Sequence, residues 1–115
     1  MNYEQYDVVL VDFSFSDETG SKKRPGLVIS NRRYNRTRKE KIIAAITSNT
    51  DRVLFGDMLL KDWEEAGLRV PSLLTGIIRT VKDDMIVHKL GMLSKKDAKE
   101  ASENLKKIAL CSGIV

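Results

Sequence analysis

Two side chains in this chain of 115 residues stand where a rigid scaffold would hold them out for chemistry, Arg24 and Thr47. Arg24 sits where a polar loop meets an apolar run, in Lys22-Lys23-Arg24-Pro25-Gly26-Leu27-Val28-Ile29-Ser30, and Thr47 closes another such run, Ala44-Ala45-Ile46-Thr47-Ser48-Asn49. The ends of rigid elements are where functional groups are presented to solvent. A guanidinium offers a planar fork of donors that fits phosphate or carboxylate, and a hydroxyl can add one donor to the same anion. Taken singly, each has a plainer reading: an arginine beside a strand is usually surface, and a strand-end threonine usually shapes a turn.

Other chemistries find little support. His88 is the only histidine and falls in an apolar stretch with Ile86 and Val87, so a structural or surface role is expected for it. Asp83 and Asp84 are adjacent and cannot share one strand face. The single cysteine, Cys111, can form neither an internal disulfide nor a thiolate cage, which favours a reducing compartment. No glycine-rich phosphate loop and no Gly-x-Ser-x-Gly elbow is present. An enzyme built from this set is expected to work without a metal or a cofactor.

The net charge of +4 conceals a division. Between Ser21 and Lys41 lie nine cations (Lys22, Lys23, Arg24, Arg32, Arg33, Arg36, Arg38, Lys39, Lys41) and one carboxylate, Glu40, while the rest of the chain is net acidic at −4. A basic strip attracts polyanions and gains affinity by releasing counterions. Five of its nine cations are arginine, which favours phosphate or carboxylate recognition.

The size and composition fit one domain, residues 1–115, with a single core. The apolar runs are far shorter than the roughly 20 residues that span a bilayer, and Met1–Gln5 shows no leader-like pattern, so a cytoplasmic location is expected. Strands are expected at 7–13, 25–31, 41–47, 55–60, 70–81 (broken near Pro71 and Gly76) and 85–90, with 32–41 as a basic loop that has room for one helical turn. Residues 61–66 are helix-compatible up to Gly67, and 94–110 form an amphipathic helix with Ser94 and Asp97 as a capping box. The class is mainly β (α+β): a small barrel or strongly curled sheet with peripheral helices.

In this order the segments resemble the MazF/PemK family of type II toxin–antitoxin systems. The resemblance runs through Asp7–Asp17, Lys23-Arg-Pro-Gly-Leu-Val-Ile-Ser30, Ile42-Ile-Ala-Ala-Ile-Thr-Ser48, Gly56-Asp-Met-Leu-Leu60, Ala66-Gly-Leu-Arg-Val-Pro-Ser72, Ile78-Arg-Thr80 and Lys89-Leu-Gly-Met-Leu-Ser94. It implies an SH3-like β-barrel that dimerises, cleaves single-stranded RNA without a metal, and is neutralised by an acidic segment of an antitoxin. It also implies that Arg24 and Thr47 are the catalytic pair. Phe15, Lys23, Ser48, Asn49 and Arg79 are the candidates for contacting the substrate. Where the Kid branch of the family places an arginine and an aspartate, this chain has Leu74 and Gly76, so that variant of the chemistry is not expected. The family's usual proline and alanine are Ser14 and Gly26.

If RNA is cut, the substrate's own 2′-hydroxyl serves as nucleophile, Arg24 and Thr47 stabilise charge on the phosphate, and the proton-accepting base is left unassigned. The rival from another class is a non-enzymatic barrel, either a gyrase-directed toxin of the CcdB kind or a single-strand nucleic-acid binder.

Overall fold

A computed structural model describes residues 2–13 and 22–109. Six strands form one antiparallel sheet: β1 (Asp7–Asp12), β2 (Lys23–Val28), β3 (Glu40–Thr47), β4 (Met58–Leu59), β5 (Leu73–Lys82) and β6 (Ile86–Met92), in the spatial order β4-β5-β3-β2-β1-β6. Two helices flank it, α1 (Arg32–Thr37) and α2 (Lys95–Ala109). No ladder joins β4 to β6 among the described residues, so the sheet is curled but open.

Alternation along the strands explains why the sheet buries both faces. Val8, Leu27 and Ala44 lie in one cross-strand row and pack with Ile46, Met58, Leu74, Leu93 and Ala101, beneath α2. The intervening residues Val9, Val11, Val28 and Ile43 join Tyr3, Val81 and Ile86 in a second cluster. Each such side chain contributes about 1.5–3 kcal/mol on full burial. β1 is buried on both sides, as its uninterrupted Val-Val-Leu-Val run requires.

One departure from regular pairing shapes everything near the strand ends. The β2–β3 ladder covers only Gly26↔Ala45 to Val28↔Ile43. Below it, β2 stays with β1 as far as Asp12↔Lys23, whereas β3 stays with β5 as far as Thr47↔Leu73. The two central strands therefore diverge. A register shift between Ala44 and Ile46 marks the bend in β3. Thr75 Oγ1 donates to the Ala45 carbonyl at 2.8 Å, satisfying an acceptor at the irregularity. Gly26 sits at the last point of contact, where a Cβ would lie 2.4 Å from Ile43 Cγ2.

Several expected elements differ in the structure. The helical turn allowed in the basic loop extends to a short helix over residues 32–37, because the Asn31 side chain accepts from the Tyr34 amide at 3.1 Å and nucleates it. The expected strand at 55–60 shrinks to Met58–Leu59, since Asp57 draws the chain into a turn by accepting from the Leu54 amide at 3.0 Å. Residues 61–66 are a run of turns, not a helix; there Asp97 Oδ2 and Oδ1 accept from the Asp62 and Lys61 amides at 2.8 and 3.2 Å. The Asp97 carboxylate is thus not the reciprocal half of a capping box, although Ser94 Oγ does accept from the Asp97 amide at 3.1 Å. Trp63 packs against the first core cluster.

The run of turns ends at Gly67, whose φ of 86° is costly for residues with a side chain, and a Cβ there would lie 2.1 Å from the Leu90 carbonyl oxygen. This crossing clamps the 67–70 segment onto β6. Gly67→Ala is expected to lower unfolding free energy by about 2–4 kcal/mol, combining strain and overpacking, in a urea titration. A loss below about 0.5 kcal/mol would show that the crossing is not under this constraint.

Candidate functional site

The divergence of β2 from β3 opens a cleft of about 820 Å³. Its apolar floor comes from Leu10, Pro25, Ile46, Leu68 and Leu90. Its polar groups arrive from five places. Lys22 and Arg24 stand at the start of β2, Thr47 and Ser48 at the end of β3, Arg69 and Ser72 beyond the Gly67 crossing, Arg79 on β5 and His88 on β6. No carboxylate lines the cleft among the described residues.

Thr47 is held by its own backbone: the Asn49 amide donates to Oγ1 at 3.1 Å. A hydroxyl that accepts in this way keeps its proton to donate outward. The Arg79 guanidinium lies 5.0 Å from the centre of the Phe13 ring, which holds it across the second core cluster. The five guanidinium donors of Arg24, the hydroxyls of Thr47 and Ser48, and the further cations make a wall suited to a chain of phosphates. The floor suits flat, apolar faces.

The sequence-derived candidates divide by geometry. Arg24, Thr47, Ser48 and Arg79 come together on the cleft wall. Lys23 is not among the lining residues, whereas its neighbour Lys22 is. Asn49 is also off the wall; its Oδ1 accepts from the Asp51 amide at 3.2 Å and shapes the turn that presents Thr47. Phe15 lies outside the described residues. At the positions where the Kid branch has charged groups, Leu74 is buried in the core and Gly76 carries no side chain.

Arg69 and His88 were not singled out from the sequence as contributors to such a site; His88 is at the surface, as expected, and its place there is on the cleft wall. Each is brought in by a contact remote in sequence, Arg69 by the Gly67 crossing and His88 by the pairing of β6 with β1. The basic strip is also redistributed. Lys41 is 1% exposed and donates to Asp83 Oδ1 at 2.7 Å, and Arg38 pairs with Glu40. That hydrogen bond, followed by the charge of Glu40, raises the Arg38 pKa above its ordinary value, on the α1 side and off the cleft. Among the described residues, no three His, Cys, Asp or Glu side chains gather as a metal site would need, and no helix is long and apolar enough to cross a membrane.

A curled antiparallel sheet with a cation-walled cleft at the parting of its central strands defines a small β-protein whose cleft has the charge to attract polyanions. The chain belongs to the PemK-like, MazF-like toxins of type II toxin–antitoxin systems, whose family model matches residues 4–109. No curated protein matches it by sequence alone. Among solved structures, it is similar to a MazE–MazF complex from Deinococcus radiodurans, with 17% identity, a TM-score of 0.74, and coverage of 97% of this chain and 99% of that one. It is also similar to an endoribonuclease from a mycobacterial species in complex with its cognate antitoxin (16% identity, TM-score 0.73, 91% and 92% covered). A third similar structure is the Mycobacterium tuberculosis toxin MazF-mt6 (18% identity, TM-score 0.71, 88% and 93% covered). These likenesses establish the shared fold.

Titration with short inorganic polyphosphate is expected to shift the backbone NMR signals of Lys22, Arg24, Thr47, Arg69 and Arg79 while leaving those of Arg32–Thr37 in place. Shifts confined to α1 would locate the polyanion site on the helix instead of the cleft.

Proposed function

We propose that this toxin is a sequence-selective endoribonuclease that cuts single-stranded RNA by 2′-hydroxyl attack, without a metal. The observation that carries the reading is the convergence of Arg24 and Thr47, from different strands, on a cleft walled by cations. In the step, the 2′-oxygen bonds to the adjacent phosphorus, the bond from phosphorus to the 5′-oxygen breaks, and a 2′,3′-cyclic phosphate and a 5′-hydroxyl result. Arg24 stabilises the charge building on the non-bridging oxygens through its planar donors, and Thr47 donates its outward proton to one of them. Unpaired bases lie on the apolar floor, and Ser48, with Arg79, contacts their edges or the flanking phosphates. The likeness to a mycobacterial endoribonuclease supports the reading.

The toxin works as a homodimer in the cytoplasm, with residues 1–115 as one domain per copy. Exposed Leu59, Ile77 and Ile78 supply apolar surface for pairing. Its antitoxin presents an acidic segment to the cleft, where the described walls offer cations and no competing carboxylate. The neighbouring MazE–MazF and endoribonuclease–antitoxin complexes support a partner of this kind.

Incubated with a diverse RNA pool and a chelator, the purified protein is expected to cut at a short preferred sequence and leave 5′-hydroxyl ends. Intact RNA from folded protein overturns the reading. Arg24→Ala and Thr47→Val are each expected to lower the rate about 10²–10³-fold. Their melting temperatures should stay within a few degrees of wild type, because both side chains are at least partly exposed. Normal cutting by Arg24→Ala removes Arg24 from the site. With four cations on the wall, log Kd against log salt should have a slope of magnitude about 2–3, reduced by about 0.7 in Arg69→Gln.

A further inference from the structure

Arg24 and Thr47 supply donors to the phosphate, but the reaction also needs a group that accepts the 2′-hydroxyl proton. An arginine is a poor acceptor, and a threonine hydroxyl is too weak a base for the task. The other charged groups on the cleft wall, Lys22, Arg69 and Arg79, are cations as well. The single described wall group with a lone pair of useful basicity is the imidazole of His88.

Its position follows from the sheet. His88 pairs with Leu10 of β1, and Leu10 pairs on its other side with Pro25 of β2, the neighbour of Arg24. His88 and Pro25 therefore occupy one cross-strand row, two strand spacings or about 10 Å apart at their Cα atoms. Leu10 and Pro25 line the apolar floor between them. His88 lines the same cleft as Arg24 and Thr47, so a substrate held there by those two lies against the imidazole's side of the site. In-line displacement places the attacking and leaving oxygens on opposite sides of phosphorus. The proton acceptor therefore belongs on the 2′-oxygen side, while Arg24 and Thr47 hold the non-bridging oxygens that lie between the two apical positions.

We propose that His88 is the general base of the reaction, an assignment that rests on the ribonuclease reading above. An imidazole nitrogen takes the 2′-hydroxyl proton as the bond from the 2′-oxygen to phosphorus forms. The 5′-oxygen departs with a proton from water, and the imidazolium returns its own to water. No proton is consumed in the sum. The charged groups facing His88 across the cleft are Lys22, Arg24, Arg69 and Arg79, all cations.

The test uses a single-stranded oligonucleotide carrying the cleavage sequence found with wild-type protein. His88→Gln and His88→Ala are expected to lower kcat about 10²-fold or more, with KM and melting temperature nearly unchanged. The acidic limb of the wild-type pH–rate profile should vanish in both variants. Free imidazole in the buffer should restore His88→Ala in proportion to its unprotonated fraction. A substrate with sulfur replacing the leaving 5′-oxygen needs no acid, and the variants should remain slow on it. Recovery on that substrate would make His88 the acid and overturn its assignment as base. Wild-type kinetics in His88→Gln, or a loss carried by KM without imidazole rescue, overturns it too. Wild-type protein that cuts no RNA overturns the ribonuclease reading itself, and the role of His88 falls with it.

Discussion

The parting of β2 from β3 below Gly26 is the constraint on which the site depends. A continuous antiparallel ladder would place Arg24 and Thr47 side by side on a closed surface, with no volume between the strands. Here each strand keeps its outer partner, β1 for β2 and β5 for β3, so the backbone groups on those sides remain paired. At the irregularity in the β3–β5 pairing the Ala45 carbonyl still accepts, from the Thr75 hydroxyl of β5. Gly26 lets the strands approach closely just before they part, and Leu10, Pro25 and Ile46 line the space beyond.

The charge arrangement follows from that geometry. Cations gathered on one wall, with no described carboxylate lining it, give the cleft a positive field. Elsewhere the protein neutralises its cations: Lys41 against Asp83, Arg38 against Glu40, Lys61 against Glu100. Four cations, Lys22, Arg24, Arg69 and Arg79, gather where the central strands open. The same property suits both RNA and an acidic antitoxin, which would compete for one set of cations.

Much of the framework was legible in the residues. The Val-Val-Leu-Val run of β1 required burial on two faces, the Arg-Pro and Ile-Thr junctions fell at strand ends, and Ser94 marked the start of α2. The segment at 61–66 was misread as helical because its local composition permits a helix; the buried Asp97 carboxylate, some 35 positions away, captures its amides instead. Residues 32–37 lack an apolar periodicity but gain a helix from Asn31 and from the buried Asn35, whose side chain bonds to Ser30. The +8 strip looked like one surface, yet Lys41 faces inward on β3 because side chains alternate at period two.

By itself, the sequence determined the strand-rich class, the family, and the positions of Arg24 and Thr47 at element ends, since periodicity and local turn chemistry are written in neighbouring residues. Only the tertiary structure decided which groups share the cleft. Lys22 rather than Lys23 faces it, Asn49 serves its turn, and Arg69 and His88 enter through a glycine crossing and a strand pairing. Those choices depend on register and on where two strands part, and neither is encoded within any short stretch of chain.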